Sequence, residues 1–296
     1  MFKGSLVALA TPFDSDNRVD FAALKGLIDF HASEGTDGLV IAGTTGEAAT
    51  LSKSEHEELI ARAVEIVDGR MPVIAGTGSN STQQTIDLSQ AVGDSGIDAY
   101  LVVVPYYNKP MQEGMFQHFT AIADAVSKPV MMYNVPGRTV ADMQADTVAR
   151  LAKHDNIFGI KEATGDIGRL NEIKAMVHDD FRLYSGDDFT ALEFLENGGH
   201  GIVTVSGNVV PRAIARLCRL AAAGQHAEAK ALDESLQPLN NALFAESNPI
   251  PLKWALGQMG LISPYLRLPL TEFAEQYHAQ MRAALKLAGV ALEDAA

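Results

Sequence analysis

The chain has 296 residues, 47% of them hydrophobic, which suffices for one large domain or a domain with an appendage and argues against disorder. A formal net charge of −14 sets aside nucleic acid and anionic membranes as partners, since both need a basic face. A single cysteine, Cys218, excludes an internal disulfide and a cysteine-rich metal site, and the eight histidines include no pair four apart, so no histidine-based metal site is expected.

The opening stretch MFKGSLVALATPFDSD has an apolar run of strand length, too short for a membrane span and without a signal peptide's cleavage pattern, so a cytoplasmic location is expected. SLVALAT (5–11) reads as the first strand. DFAALKGLIDFHASEG (20–35) reads as a helix with Asp20 as N-cap and Gly35 as its left-handed stop. GLVIAG (38–43) is the second strand, and the helix over 52–69 opens on a Ser52/Glu55 capping box and ends on Gly69. PVIAGTG (72–78) resembles a dinucleotide-binding turn through Gly76 and Gly78, but Ser81 replaces the third glycine and the unit is third in the chain, which sets a Rossmann site aside. A helix over 81–96 leads to AYLVVVP (99–105), and one over 112–126 to PVMMYNVP (129–136), whose Met131 and Met132 read as core.

A helix over 143–154 precedes IFGIKEA (157–163). One over 168–180 precedes RLYSGD (182–187), and one over 188–199 precedes GIVTVSG (201–207). The helix over 211–224 places Cys218 as a buried thiol. His31, His118 and His200 read as surface or satisfied structural residues. Several strands are continuous apolar runs, as parallel strands buried on both faces require. Eight regular strand–helix units predict a (β/α)8 barrel over 1–224, favoured over an open doubly wound sheet. Residues 225–296 hold no strand candidate and read as a C-terminal helical domain, with helices in 226–244, 248–260 and 271–289.

Barrel chemistry sits at the carboxyl ends of the strands. Those ends carry Thr44, Thr45 and Gly46, then Tyr107, then Tyr133 and Arg138, then Lys161, then Gly186. Lys161 ends an otherwise apolar strand. An ammonium there either snorkels to water or is wanted neutral. Fewer than roughly one free lysine in a thousand is neutral at pH 7. A drop of about three in pKa on desolvation makes roughly a quarter neutral, and a neutral amine attacks a ketone to form an imine. The hydroxyls of Tyr133, Thr44 and Tyr107 can relay protons. Free N–H groups at the Thr44–Thr45–Gly46 turn suit a carboxylate, and the Arg138 fork suits a second one.

GTTGEAATLS (43–52), YNVPGRT (133–139) and GIKEATGD (159–166) together resemble the signatures of the dihydrodipicolinate synthase/N-acetylneuraminate lyase family, lysine-dependent aldolases acting on pyruvate. The resemblance spans essentially the whole chain. Arg138 marks the branch that condenses pyruvate with L-aspartate 4-semialdehyde, at the start of diaminopimelate and lysine biosynthesis. The alternative is another pyruvate-dependent aldolase, a sugar-acid aldolase or N-acetylneuraminate lyase, whose members generally lack this arginine. A regulatory relative that only binds, and a phosphate-binding barrel, are weaker rivals; for the second, the strand 7–8 region offers glycines in GGHG and TVSGN but no basic residue close by.

The resemblance implies that Lys161 forms the pyruvate imine and that Tyr133, Thr44 and Tyr107 relay protons. It implies that Thr45 binds the pyruvate carboxylate, Arg138 the semialdehyde carboxylate, and that Gly186 and Val203 line the pocket. Tyr107 would reach a neighbouring subunit within a homotetramer built as a dimer of dimers, with no metal or organic cofactor. Lysine-inhibited members bind the effector at positions matching Ala48, Ala49, Lys53, His56, Asn80, Gln84 and Tyr106. Ala48 stands where the sensitive type has serine, Lys53 where it has histidine and Gln84 where it has glutamate, so weak feedback is expected.

Overall fold

The computed structural model describes residues 2–292. Eight parallel strands close into a barrel in chain order, β1 pairing with both β2 and β8. The strands are β1 (Gly4–Ala8), β2 (Gly38–Ile41), β3 (Val73–Gly76), β4 (Ala99–Val103), β5 (Val130–Asn134), β6 (Ile157–Glu162), β7 (Arg182–Ser185) and β8 (Gly201–Thr204). Around them run α1 (Phe21–Glu34), α2 (Lys53–Val67), α3 (Thr82–Val92), α4 (Gln112–Ala125), the short α5 (Pro136–Thr139), α6 (Ala145–Leu151), α7 (Ile167–Met176), α8 (Ala191–Glu196) and α9 (Pro211–Ala222). Three further helices follow, α10 (His226–Leu243), α11 (Ile250–Gln258) and α12 (His278–Leu287). No helix among the described residues is long and apolar enough to cross a membrane.

The continuous apolar runs have a two-sided explanation. Leu6, Ala8, Met131, Tyr133, Tyr184 and Val203 fill the barrel interior. Their alternates Val7, Met132, Leu183 and Ile202 pack outward under the helices. Cys218 is buried in α9, and burial pushes its thiol up to about 12, as fits an inert core residue.

The caps follow the expected chemistry. The Asp20 carboxylate accepts from the N–H groups of Ala22 and Ala23 at 3.0 and 2.9 Å, and Gly35 is left-handed at φ 79°. Ser52 and Glu55 form a reciprocal capping box. The strands, however, stop up to three residues before the apolar runs do. AYLVVVP continues to Pro105, but β4 ends at Val103, and the remainder enters the loops that carry the functional groups. The expected helix over 188–199 shortens to α8 because Asp188 is buried and accepts from Val205 N–H and Ser206 N–H at 2.9 and 3.0 Å. The expected helix over 271–289 begins only at a 3₁₀ turn, Glu275–Tyr277, since Ala274 N–H is held by Glu246 Oε2 at 3.1 Å.

One irregularity positions the chemistry. Val130 lies opposite Ile157, but Met131 lies opposite Gly159, so β6 holds one residue more than β5. Ile157 and Ile160 face the helices, and Phe158 faces the interior. The bulge therefore resets the alternation, so that Lys161 turns inward beside Tyr133 and Tyr184. Unbroken alternation from Phe158 would have put Glu162 inside instead.

Candidate active site

Lys161 is 6% exposed, so it does not snorkel. Its Nζ sits 4.2 Å from the centroid of the Tyr133 ring, on the next strand. The other buried lysine, Lys253, pairs with Glu47 at 2.5 Å; Lys161 has no carboxylate partner among the described residues. A desolvated amine resting on an aromatic face, without a counter-ion, can act as a nucleophile and is not half of a salt bridge. Gly186 makes room for it: a Cβ there would lie 2.8 Å from Lys161 Cε.

The outward neighbour, Glu162, holds the strand end in place. Its carboxylate accepts from Asn134 Nδ2 at 3.0 Å and Thr164 N–H at 2.8 Å, and burial raises its pKa. Asn134 in turn bonds Asp142, which Arg169 clamps with two hydrogen bonds of 3.0 Å.

The loop after β2 folds on itself. Gly46 N–H and Ala48 N–H donate to the Gly43 carbonyl, and Glu47 N–H to that of Thr44. The N–H groups of Thr44 and Thr45 make no hydrogen bond to other described residues, which leaves two donors for a carboxylate. Asn248 Nδ2 donates to Thr45 Oγ1 at 3.0 Å, and its backbone carbonyl accepts from Arg138 Nη2 at 3.1 Å. Arg138 projects from α5, a helical turn opened by Pro136 that was not expected from the sequence.

A cavity of about 130 Å³ brings together Lys161, Tyr133, Thr44, Thr45, Arg138 and Gly186. It shares the wall of Thr44, Tyr133, Arg138 and Asn248 with a second cavity of about 730 Å³, lined also by Ala48, Ala49, Lys53, His56, Gln84 and Tyr106. Asn80 touches that region through Nδ2, which donates to the Tyr106 carbonyl at 3.2 Å. Val203 does not line either cavity; it is a buried residue of the barrel interior. Tyr107 also stands apart, 90% exposed on left-handed backbone at φ 72°. Asn248, Glu47 and Lys253 were not singled out from the sequence. Their partners lie some 200 residues away, and no spacing pattern marks them. Among the described residues no cluster of three His, Cys, Asp or Glu side chains could hold a metal ion.

The profile described as Dihydrodipicolinate synthetase family matches residues 1–288. Over 290 residues the chain is 53% identical to 4-hydroxy-tetrahydrodipicolinate synthase of Pseudomonas aeruginosa, covering 98% of this chain and 99% of that one. It is 52% identical over 291 residues to the Escherichia coli O139:H28 protein of that name, covering 98% and 100%. The crystal structure of the chloride-inhibited dihydrodipicolinate synthase from Acinetobacter baumannii, complexed with pyruvate, superposes with a TM-score of 0.97 at 48% identity, covering 98% and 100%.

Proposed function

The chain belongs to the dihydrodipicolinate synthetase family, and from that premise we infer how its site runs the family's reaction. The enzyme condenses pyruvate with L-aspartate 4-semialdehyde to 4-hydroxy-tetrahydrodipicolinate, the step that opens diaminopimelate and lysine biosynthesis. The Lys161 amine attacks the pyruvate ketone, and loss of one water leaves an imine. Loss of a methyl proton gives an enamine, whose carbon attacks the aldehyde of the second substrate. The amino group of the joined product then displaces Lys161 and closes the ring. No metal or organic cofactor takes part.

The protons released from nitrogen and carbon in these steps are passed along neutral hydroxyl oxygens. Tyr133, Thr44 and Tyr107 form the relay, so that no net charge is left in a desolvated site. Thr45 and the free N–H groups of its loop bind the pyruvate carboxylate, and Gly186 lines the pocket with its backbone. Arg138 holds the semialdehyde carboxylate, and it favours this substrate over the polyol chain of a sugar-acid aldolase. Tyr107 acts in a neighbour's site within a homotetramer, and the protein works in the cytoplasm. The cavity lined by Ala49, Lys53, His56, Gln84 and Tyr106, with Asn80 beside it, is a lysine effector site of low affinity.

The buried, unpaired Lys161 amine against Tyr133 carries this reading. Borohydride with pyruvate should add one reduced pyruvyl group on the peptide holding Lys161. Lys161→Ala should stay unlabelled, and Arg138→Ala should label normally while using the semialdehyde poorly. An unchanged mass, or label on Lys109 or Lys174, overturns the assignment.

A further inference from the structure

Glu47 closes the loop that carries Thr44 and Thr45. Its backbone is left-handed at φ 55°, a conformation that a non-glycine residue holds only under constraint. The constraint comes from the far end of the chain. Oε1 accepts from Lys253 Nζ of α11 at 2.5 Å, and Oε2 accepts from the Arg267 N–H at 3.1 Å. The two side chains of the pair are 1% and 0% exposed. The Arg267 side chain bonds the Thr50 carbonyl at 3.0 Å and pairs with Glu55, so both ends of the segment after Thr45 are tied to the same region. Phe13 supports the cluster, its ring centroid 4.1 Å from Lys253 Nζ and 4.3 Å from the Arg267 guanidinium.

A buried ion pair is a poor device for stability, since desolvation offsets most of its attraction and an apolar pair of the same volume does as well. It is a good device for fixing geometry, because each oxygen has one place where its donor waits. We propose that Glu47 and Lys253 are positioning residues for pyruvate. Their pair holds the Thr44–Thr45 peptide where its N–H groups meet the substrate carboxylate, so α11 sets pyruvate affinity without touching pyruvate. The inference rests on the proposed role of that loop, and its test separates the two.

The fraction of chain trapped by borohydride is measured by intact mass against pyruvate concentration, alongside thermal unfolding. Glu47→Gln should fold, because burial already lowers the Lys253 pKa to about 8 and a neutral amine can still donate to an amide. Half-saturating pyruvate should rise about tenfold or more in Glu47→Gln and in Lys253→Met, with full labelling at saturation. The KM for the semialdehyde should move less than about threefold. In Glu47→Gln/Lys253→Met no buried charge is left unpaired, so the melting temperature should return toward wild type while half-saturation stays high. Affinity that recovers in step with melting temperature, or half-saturation unchanged in both single variants, overturns the positioning role. Failure of the wild-type chain to label at all would instead overturn the proposed function. If Lys253→Met does not fold, Glu47→Gln and the double variant decide.

Discussion

Single side chains set how this fold responds to acid. His31 is fully buried, its Nδ1 on Thr36 Oγ1 at 2.9 Å and its Nε2 without a partner among the described residues. His118 repeats the arrangement with Thr82 Oγ1 at 2.9 Å. Burial pushes each imidazole down to about 4, against about 6.5 in an unfolded chain. Between those values the unfolded state binds protons that the folded state refuses. Stability is therefore complete above pH 6.5 and is lost as pH falls toward 4, by up to roughly 3 kcal/mol per histidine. Urea midpoints of His31→Gln should fall less steeply between pH 6.5 and 4 than those of wild type. Equal slopes would show that another group carries the acid response. The sequence suggested satisfied or surface histidines; that each keeps one nitrogen unpartnered depends on packing that no local pattern reveals.

Elements were legible where periodicity and capping agree. The Asp20 and Ser52/Glu55 caps, the apolar runs and their regular spacing led to eight strands and a closed barrel. Strand ends were not legible, because an apolar run does not mark where hydrogen bonding to the neighbour stops. The β6 bulge was also invisible, yet it decides which face Lys161 occupies. A single Ala inserted between Ile160 and Lys161 should turn the amine out of the barrel and abolish the pyruvate adduct. Deletion of Phe158 removes the extra residue and should leave Lys161 inward, with labelling retained. Mass spectra of the two trapped variants check this; labelling in the insertion variant would mean that the strand re-forms its bulge elsewhere.

Across the whole molecule, Tyr107 is the proposed relay residue that stands outside the cavity holding Lys161. It is exposed on strained backbone, and its loop is fastened to the β3–α3 turn by Asn108 Nδ2 on the Asn80 carbonyl at 2.8 Å. If it completes a neighbour's relay, mixing inactive Lys161→Ala with inactive Tyr107→Phe should restore some activity in hybrids. No recovery after verified subunit exchange counts against a shared site. The cavity proposed to bind lysine gives a second test at this scale. Gln84 lacks the anionic partner that lysine's ammonium groups would prefer, and the exposed Lys53 lies 3.8 Å from Glu57 and adds a repulsive charge. Exchanging a charge-assisted bond for a neutral one costs about 0.5–2 kcal/mol, or roughly 2- to 30-fold in affinity. Titrating lysine into an initial-rate assay should give little inhibition at micromolar levels; strong inhibition there would show that Lys53 and Gln84 compensate.

The partners of Glu47 stand 206 and 220 positions downstream of it. At ~5–20 residues per second a ribosome needs roughly 10–45 s to make that stretch. Lys161 emerges well before Lys253 and Arg267, the partners of Glu47. On the proposed roles, a half-made polypeptide carries the Lys161 amine before it has the ion pair that raises pyruvate affinity. On the proposed positioning role, a chain stalled before residue 253 should need about tenfold or more pyruvate than the finished chain for half-maximal labelling under borohydride.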